Sequence, residues 1–137
     1  MDYEEKKVWL RRGIDADKKI QRLSDEIEAE RASYVSIKAL QYDDMPHSSS
    51  GKITDLSDAL TKIEHLFDKL RDELNRQYAI KDEIRAEIER LPNESERSVL
   101  YYRYIRGESW ERIMQIMHYE SSWTHELRKR AIEHLPI

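Results

Sequence analysis

Five polar side chains near the C-terminal end, Ser121, Ser122, His125, Glu126 and Lys129, bring hydroxyl, imidazole, carboxylate and ammonium groups together within nine residues. On a helix that turns roughly 100° per residue, Thr124, Leu127, Ala131 and Leu135 fall on one side, with Arg128 at its margin. The opposite side presents Ser122, His125, Glu126, Lys129 and Glu133. His125-Glu126 begins like a metalloprotease helix, but Lys129 stands where the second histidine would have to be, so no zinc pair forms. Asp43 and Asp44 precede His47, yet they lie in a stretch rich in serine, glycine and proline, where acidic residues are ordinary turn formers. Neither a glycine-rich phosphate loop nor a serine elbow occurs. These absences predict a protein that is not an enzyme and carries no cofactor or metal.

The elements that must position those side chains are legible in the last third, Leu91 to Ile137. Proline after Leu91 ends one helix, and Asn93 can cap the next, with Glu96 in the capping-box position. Helical spacing runs through Val99, Leu100, Tyr104 and Ile105 until Gly107, a left-handed stop. Ser109 can cap a second, very short helix carrying Trp110, Ile113, Met114 and Met117. After a tight turn, a third helix carries Thr124, Leu127, Ala131, Ile132 and Leu135. Trp110 reads as an anchor for the short helix. The Tyr101-Tyr102-Tyr104 cluster is expected to bury one or two rings and expose the rest.

This pattern carries a resemblance. Leu91-Pro92, the run Arg97 to Gly107, Ser109 to Ile113, and Leu127 through Leu135 look like the promoter-reading domain of sigma factors, region four. They look still more like the phage and prophage late-gene activators of the RinA and ArpU type, which borrow that domain. The resemblance implies a helix-turn-helix whose last helix enters the major groove of double-stranded promoter DNA. Ser121, Ser122, His125, Glu126 and Lys129 would then approach base edges. Serine can serve several bases, Lys129 favours guanine acceptors, and Glu126 favours the cytosine amino group. Trp123 and Arg130 lie on a flank, and with Arg103, Arg106 and Arg112 they are candidate contacts to sugar and phosphate. Blander roles stand beside these: Ser121 and Ser122 as helix starters, Lys129 and Arg130 as a solvated face, Trp123 as packing. Three positions depart from the family pattern: His118 for the turn glycine, Met114 for a small residue, and Glu120 for the serine that usually opens the last helix. Histidine can reach the left-handed region, methionine adapts to gaps, and Glu120 can cap at the positive end of the helix dipole.

Composition bounds the remainder. Among 137 residues, 38% are charged, with three glycines and three prolines, so long exposed helices are expected rather than a sheet. Cysteine is absent, which excludes disulfides, thiolate chemistry and a zinc finger. No apolar run approaches the ~20 residues that cross a bilayer, and the charged start is no signal peptide; a cytoplasmic protein without membrane contact is expected. Net charge is -4, whereas a DNA binder is usually basic. From Pro92 onward seven Arg or Lys balance seven Glu, so the deficit belongs to the N-terminal part. A neutral head of this kind binds phosphate modestly unless its charges segregate by face, which makes dimerisation or a second protein important.

Residues 1–91 read as an antiparallel hairpin of two long helices, a coiled-coil arm with a loop at about 42–52, followed by the head at 92–137. The fold class expected is therefore all-α. In the second helix Leu56, Leu60, Ile63, Phe67, Leu70, Leu74, Gln77, Lys81, Ile84, Ile88 and Leu91 step by alternating four and three. Ile20, Leu23, Ile27, Glu30, Tyr34 and Ile37 keep the same period in the first. Folding about His47 puts Gly13 near Lys81 and Ala16 near Gln77, where both seams weaken and a bend, splay or change of partner is expected. A lone pair of helices half-buries its seam, so a homodimer forming a four-helix bundle is expected. Two functions fit this organisation: a transcriptional regulator that binds DNA, and a coiled-coil interaction protein whose head docks on RNA polymerase or another protein without reading bases.

Overall fold

The structure is a computed structural model of the chain, and it describes residues 1–43 and 49–137, with side chains described outside 41–54. The chain is all-α: two long helices are followed by shorter ones. Helix α1 spans Tyr3–Asp43 and α2 spans Ser49–Glu89, 41 residues each. Then come α3 (Glu94–Leu100), a π-helical segment (Tyr101–Ile105), α4 (Trp110–Met117) and α5 (Ser121–His134). Both long helices reach further than the loop expected at 42–52: Tyr42 and Asp43 belong to α1, and Ser49 to Lys52 to α2. The rest of that loop, residues 44–48 and His47 with them, lies outside the described residues.

Two compact units divide the chain, one made of residues 1–17 and 76–137, the other of residues 18–75. In the second unit α1 and α2 run antiparallel, as the ion pairs show: Lys19 meets Glu73 at 3.6 Å and Glu30 meets Lys62 at 2.8 Å. Glu30, the polar member of the first heptad, thus has its partner on the facing helix. On α1 the inward residues Ile20, Leu23, Ile27, Glu30, Tyr34 and Ile37 are the ones the heptad selects. On α2 the buried line is Ala59, Ile63 and Leu66, whereas Leu60 and Phe67 are 43% and 48% exposed. Leu60 and Phe67, which the heptad places in the seam, thus stand at its open edge. The steps 59-63-66-70 and 60-63-67-70 are equally good alternations of four and three, and they flank one line. A single partner helix covers one flank only, and small Ala59 lets it approach on that side.

The first unit joins the start of α1 and the end of α2 to everything after Pro92. Its core gathers Leu10 from α1, Ile84 and Ile88 from α2, Leu91, Val99, Leu100, Tyr104, Ile105, Ile113, Leu127, Ala131, Ile132 and Leu135. Each large aliphatic side chain removed from water contributes ~1.5–3 kcal/mol. Gly13 belongs to this packing: a Cβ there would lie 3.0 Å from the Tyr104 carbonyl oxygen, and it would also meet Ile84 and Lys81. Close approach of the two backbones is what requires glycine. The polar break foreseen in the seams is the place where Asp17 accepts a hydrogen bond from Gln77 and pairs with Lys81 at 3.1 Å. The division between the units falls beside it, after Asp17 on α1 and before Arg76 on α2.

Caps and turns set the short helices. Asn93 accepts from the Glu96 amide at 3.0 Å and starts α3. The other half of the expected capping box is not made, because the buried Glu96 carboxylate turns to His134 Nδ1 instead, at 2.8 Å. The π-helical turn at Tyr101–Ile105 was not foreseen. Its wide hydrogen bond, from the Arg106 amide to the Tyr101 carbonyl at 3.0 Å, buries both Tyr104 and Ile105 and leaves Tyr101 exposed. Gly107 adopts φ 69°, the left-handed stop its type favours, and Ser109 accepts from the Arg112 amide at 3.1 Å to open α4. His118 occupies the left-handed region at φ 57°, ψ 42°, in the position where glycine would be unstrained.

Candidate nucleic-acid interface

Helix α5 rests its apolar side on the core through Thr124, Leu127, Ala131 and Ile132. Ile132 joins the inward set that sequence spacing identified. Thr124 is buried as a polar group yet satisfied, since its hydroxyl donates to the Glu120 carbonyl at 2.9 Å. At the other end of the helix, Lys6 of α1 donates its ammonium protons to the Glu133 and Leu135 carbonyls at 3.0 and 2.7 Å. Those carbonyls belong to a helix C-terminus, where the dipole favours a cation.

With its inner side fixed, α5 leaves Ser121, Ser122, His125, Glu126 and Lys129 exposed along its outer side. The helix is 14 residues long, on the order of 20 Å, so these five share one side of a short rod. Two candidate contacts are engaged with each other: Arg130 pairs with Glu126 at 3.0 Å and lies over the Trp123 ring at 5.4 Å. Such an exposed pair is worth only a few tenths of a kcal/mol and opens readily. Trp123 is itself half-open and meets Tyr119 edge-on at 6.4 Å.

The remaining arginines separate. Arg112 is exposed at the start of α4 and donates to Gln115 Oε1 at 3.3 Å, while Arg106 is exposed and weakly paired with Glu108 at 3.9 Å. Arg103 is half-buried. It donates to the Glu108 carbonyl at 3.0 Å and lies against the Trp110 ring at 5.1 Å, with Arg128 also on that ring at 4.8 Å. Trp110 thus sits between two guanidinium groups at the edge of the core. Burial, joined by the like charges of Arg128 and Arg11, holds Arg103 below its ordinary pKa and outweighs the opposing pull of Tyr104 and Glu111.

Sequence reasoning missed three cations of α1 in this unit: Lys6 under the end of α5, and Lys7 and Arg11 beside Tyr104 and Arg128. Their long separation in sequence from α5 hides them; the only local trace is the run of basic residues Lys6, Lys7, Arg11 and Arg12 at helical spacing. Among the described residues no group of histidine, aspartate or glutamate side chains comes together to hold a metal ion, and no helix is long and apolar enough to cross a membrane. Comparison with family models, curated proteins and solved structures finds no match.

Glu120 stands at the N-cap of α5 without a side-chain hydrogen bond, so it does not cap in the way its position allows. Glu120→Ser is expected to stabilise the protein by about 0.5–1 kcal/mol, and Ser109→Ala, which removes a cap that is made, to cost about 1 kcal/mol. Thermal unfolding of the two variants checks the opposite signs. A lower midpoint for Glu120→Ser would mean that carboxylate charge at the helix start outweighs a hydroxyl cap.

Proposed function

We propose that this chain is a DNA-binding regulator of transcription of the phage and prophage kind, acting through a helix-turn-helix made by α4, the left-handed turn at His118, and α5. The observation that carries this reading is the open outer side of α5, where Ser121, Ser122, His125, Glu126 and Lys129 stand unburied above a fixed core. A helix of this diameter fits the major groove, and those groups match the donors and acceptors of base edges. Arg106, Arg112 and, once released from Glu126, Arg130 reach toward phosphates and set register without specifying sequence. Binding of this kind weakens steeply with salt.

The arms supply the second head. Leu60 and Phe67 form an exposed apolar line on α2 of the second unit, beside the buried Ala59, Ile63 and Leu66. A second copy covering that line makes a homodimer, and two heads then offset the neutral charge of each. Sedimentation equilibrium at micromolar concentration is expected to give a dimer for the native chain and a monomer for Leu60→Glu. A native chain that stays monomeric overturns this part of the reading.

One competing reading has its own support: seven acidic residues balance seven basic ones from Pro92 onward, and Glu126 already pairs with Arg130. On that reading the head docks on RNA polymerase or another protein and reads no bases. A mobility-shift titration with DNA from upstream of the protein's own operon separates the two. Base reading predicts that Lys129→Ala costs roughly tenfold or more in affinity for the specific site. If Lys129→Ala and Arg130→Ala both leave DNA retention unchanged at low salt, α5 does not read bases.

A further inference from the structure

A recess of about 140 Å³ in the first unit is lined by Glu4, Lys7, Val8 and Arg11 of α1, Tyr104 of the π-helical turn, and Arg128 of α5. That volume exceeds what a single water needs several times over, so it has room for a tetrahedral anion. Three of its six lining residues are cations. Arg103 adds a fourth close by, since it shares the Trp110 ring with Arg128 and feels the charges of both Arg128 and Arg11.

Acidic groups do not balance this cluster. Glu4 is the one carboxylate lining the recess; its side chain is largely exposed and pairs loosely with Lys7 at 3.6 Å. Glu111 acts on Arg103 from α4. Among the described residues no carboxylate pairs with Arg11 or with Arg128. The Nε of Arg128 is sealed from solvent and has no hydrogen-bond acceptor. Converging like charges cost free energy, which an anion accepting from several donors at once would relieve.

We propose that the recess between Lys7 and Arg11 of α1, Tyr104, and Arg128 of α5 is a binding site for a phosphate group. Arg11 and Arg128 offer forked N–H donors that suit phosphate oxygens, and Lys7 adds a point charge that Glu4 releases by swinging into solvent. Arg128 is held in place by the Trp110 ring, 4.8 Å from its guanidinium carbon. The phosphate comes either from a nucleic-acid backbone or from a small phosphorylated metabolite, and the two sources share this chemistry.

Inorganic phosphate is the first probe, compared with chloride at matched ionic strength so that general screening cancels. Phosphate is expected to raise the thermal midpoint of the full chain and to bind in a ³¹P titration. Arg11→Ala, a change at an exposed position, is expected to weaken that binding at least about tenfold, with Arg11→Lys recovering part of it. Circular dichroism confirms that both variants fold. A duplex that displaces bound phosphate assigns the site to the nucleic-acid backbone. A duplex that leaves it bound assigns the site to a small phosphorylated ligand. Equal melting in phosphate and chloride, or phosphate affinity unchanged by Arg11→Ala, overturns the proposal. Because the probe is inorganic phosphate, the result does not depend on whether α5 reads bases.

Discussion

The ammonium of Lys6 beneath the C-terminal carbonyls of α5, with Leu10 one turn further along α1, is the joint on which the C-terminal helices depend. Lys6 is almost wholly buried, yet it donates to two carbonyl oxygens: that of Glu133, which the helix end leaves unsatisfied, and that of Leu135, which also accepts from the Ile137 amide. Leu10 is fully buried among residues of α2 and of the helices after Pro92. The three short helices therefore complete their core with side chains some hundred positions earlier in the chain. A helix of 7 or 8 residues is marginal alone, so α3 and α4 hold their form only because that core exists.

From this joint the arrangement of charges follows. Seating α1 against the last helix brings Lys7 and Arg11 to Tyr104 and Arg128, on a flank of α5. The outer side of the same helix carries a mixture of Ser121, Ser122, His125, Glu126 and Lys129. Counting charges from Pro92 onward gives neutrality, and residues 1–17 add four basic and five acidic side chains, of which Lys7 and Arg11 gather on this flank. The unit is consequently more basic on one flank than its C-terminal sequence alone implies.

Local rules made much of this legible. Asn93, Gly107, Ser109 and His118 each take the conformation their neighbourhood in sequence requires, because caps and turns are decided within a few residues. The inner side of α5 follows from helical period in the same way. What was hidden depends on distant partners. Glu96 abandons its capping box because His134 is within reach, Lys6 and Arg11 act on residues far along the chain, and the π-helical turn accommodates two inward side chains in succession. On α2 the period located the apolar stripe but not which flank is covered. Leu60 and Phe67 lost that place to Ala59 and Leu66 because only the size of the facing contact distinguishes them.

Native-state amide hydrogen exchange on the full chain tests the shared core most directly. Amides of α1 around Leu10 and amides of α4 and α5 around Ile113 and Leu127 should open with the same free energy and respond alike to denaturant, as one cooperative unit. Exchange near Leu10 at the rate of a frayed end, while the α5 amides keep full protection, would show that the last helices stand without α1 and would contradict the joint described above.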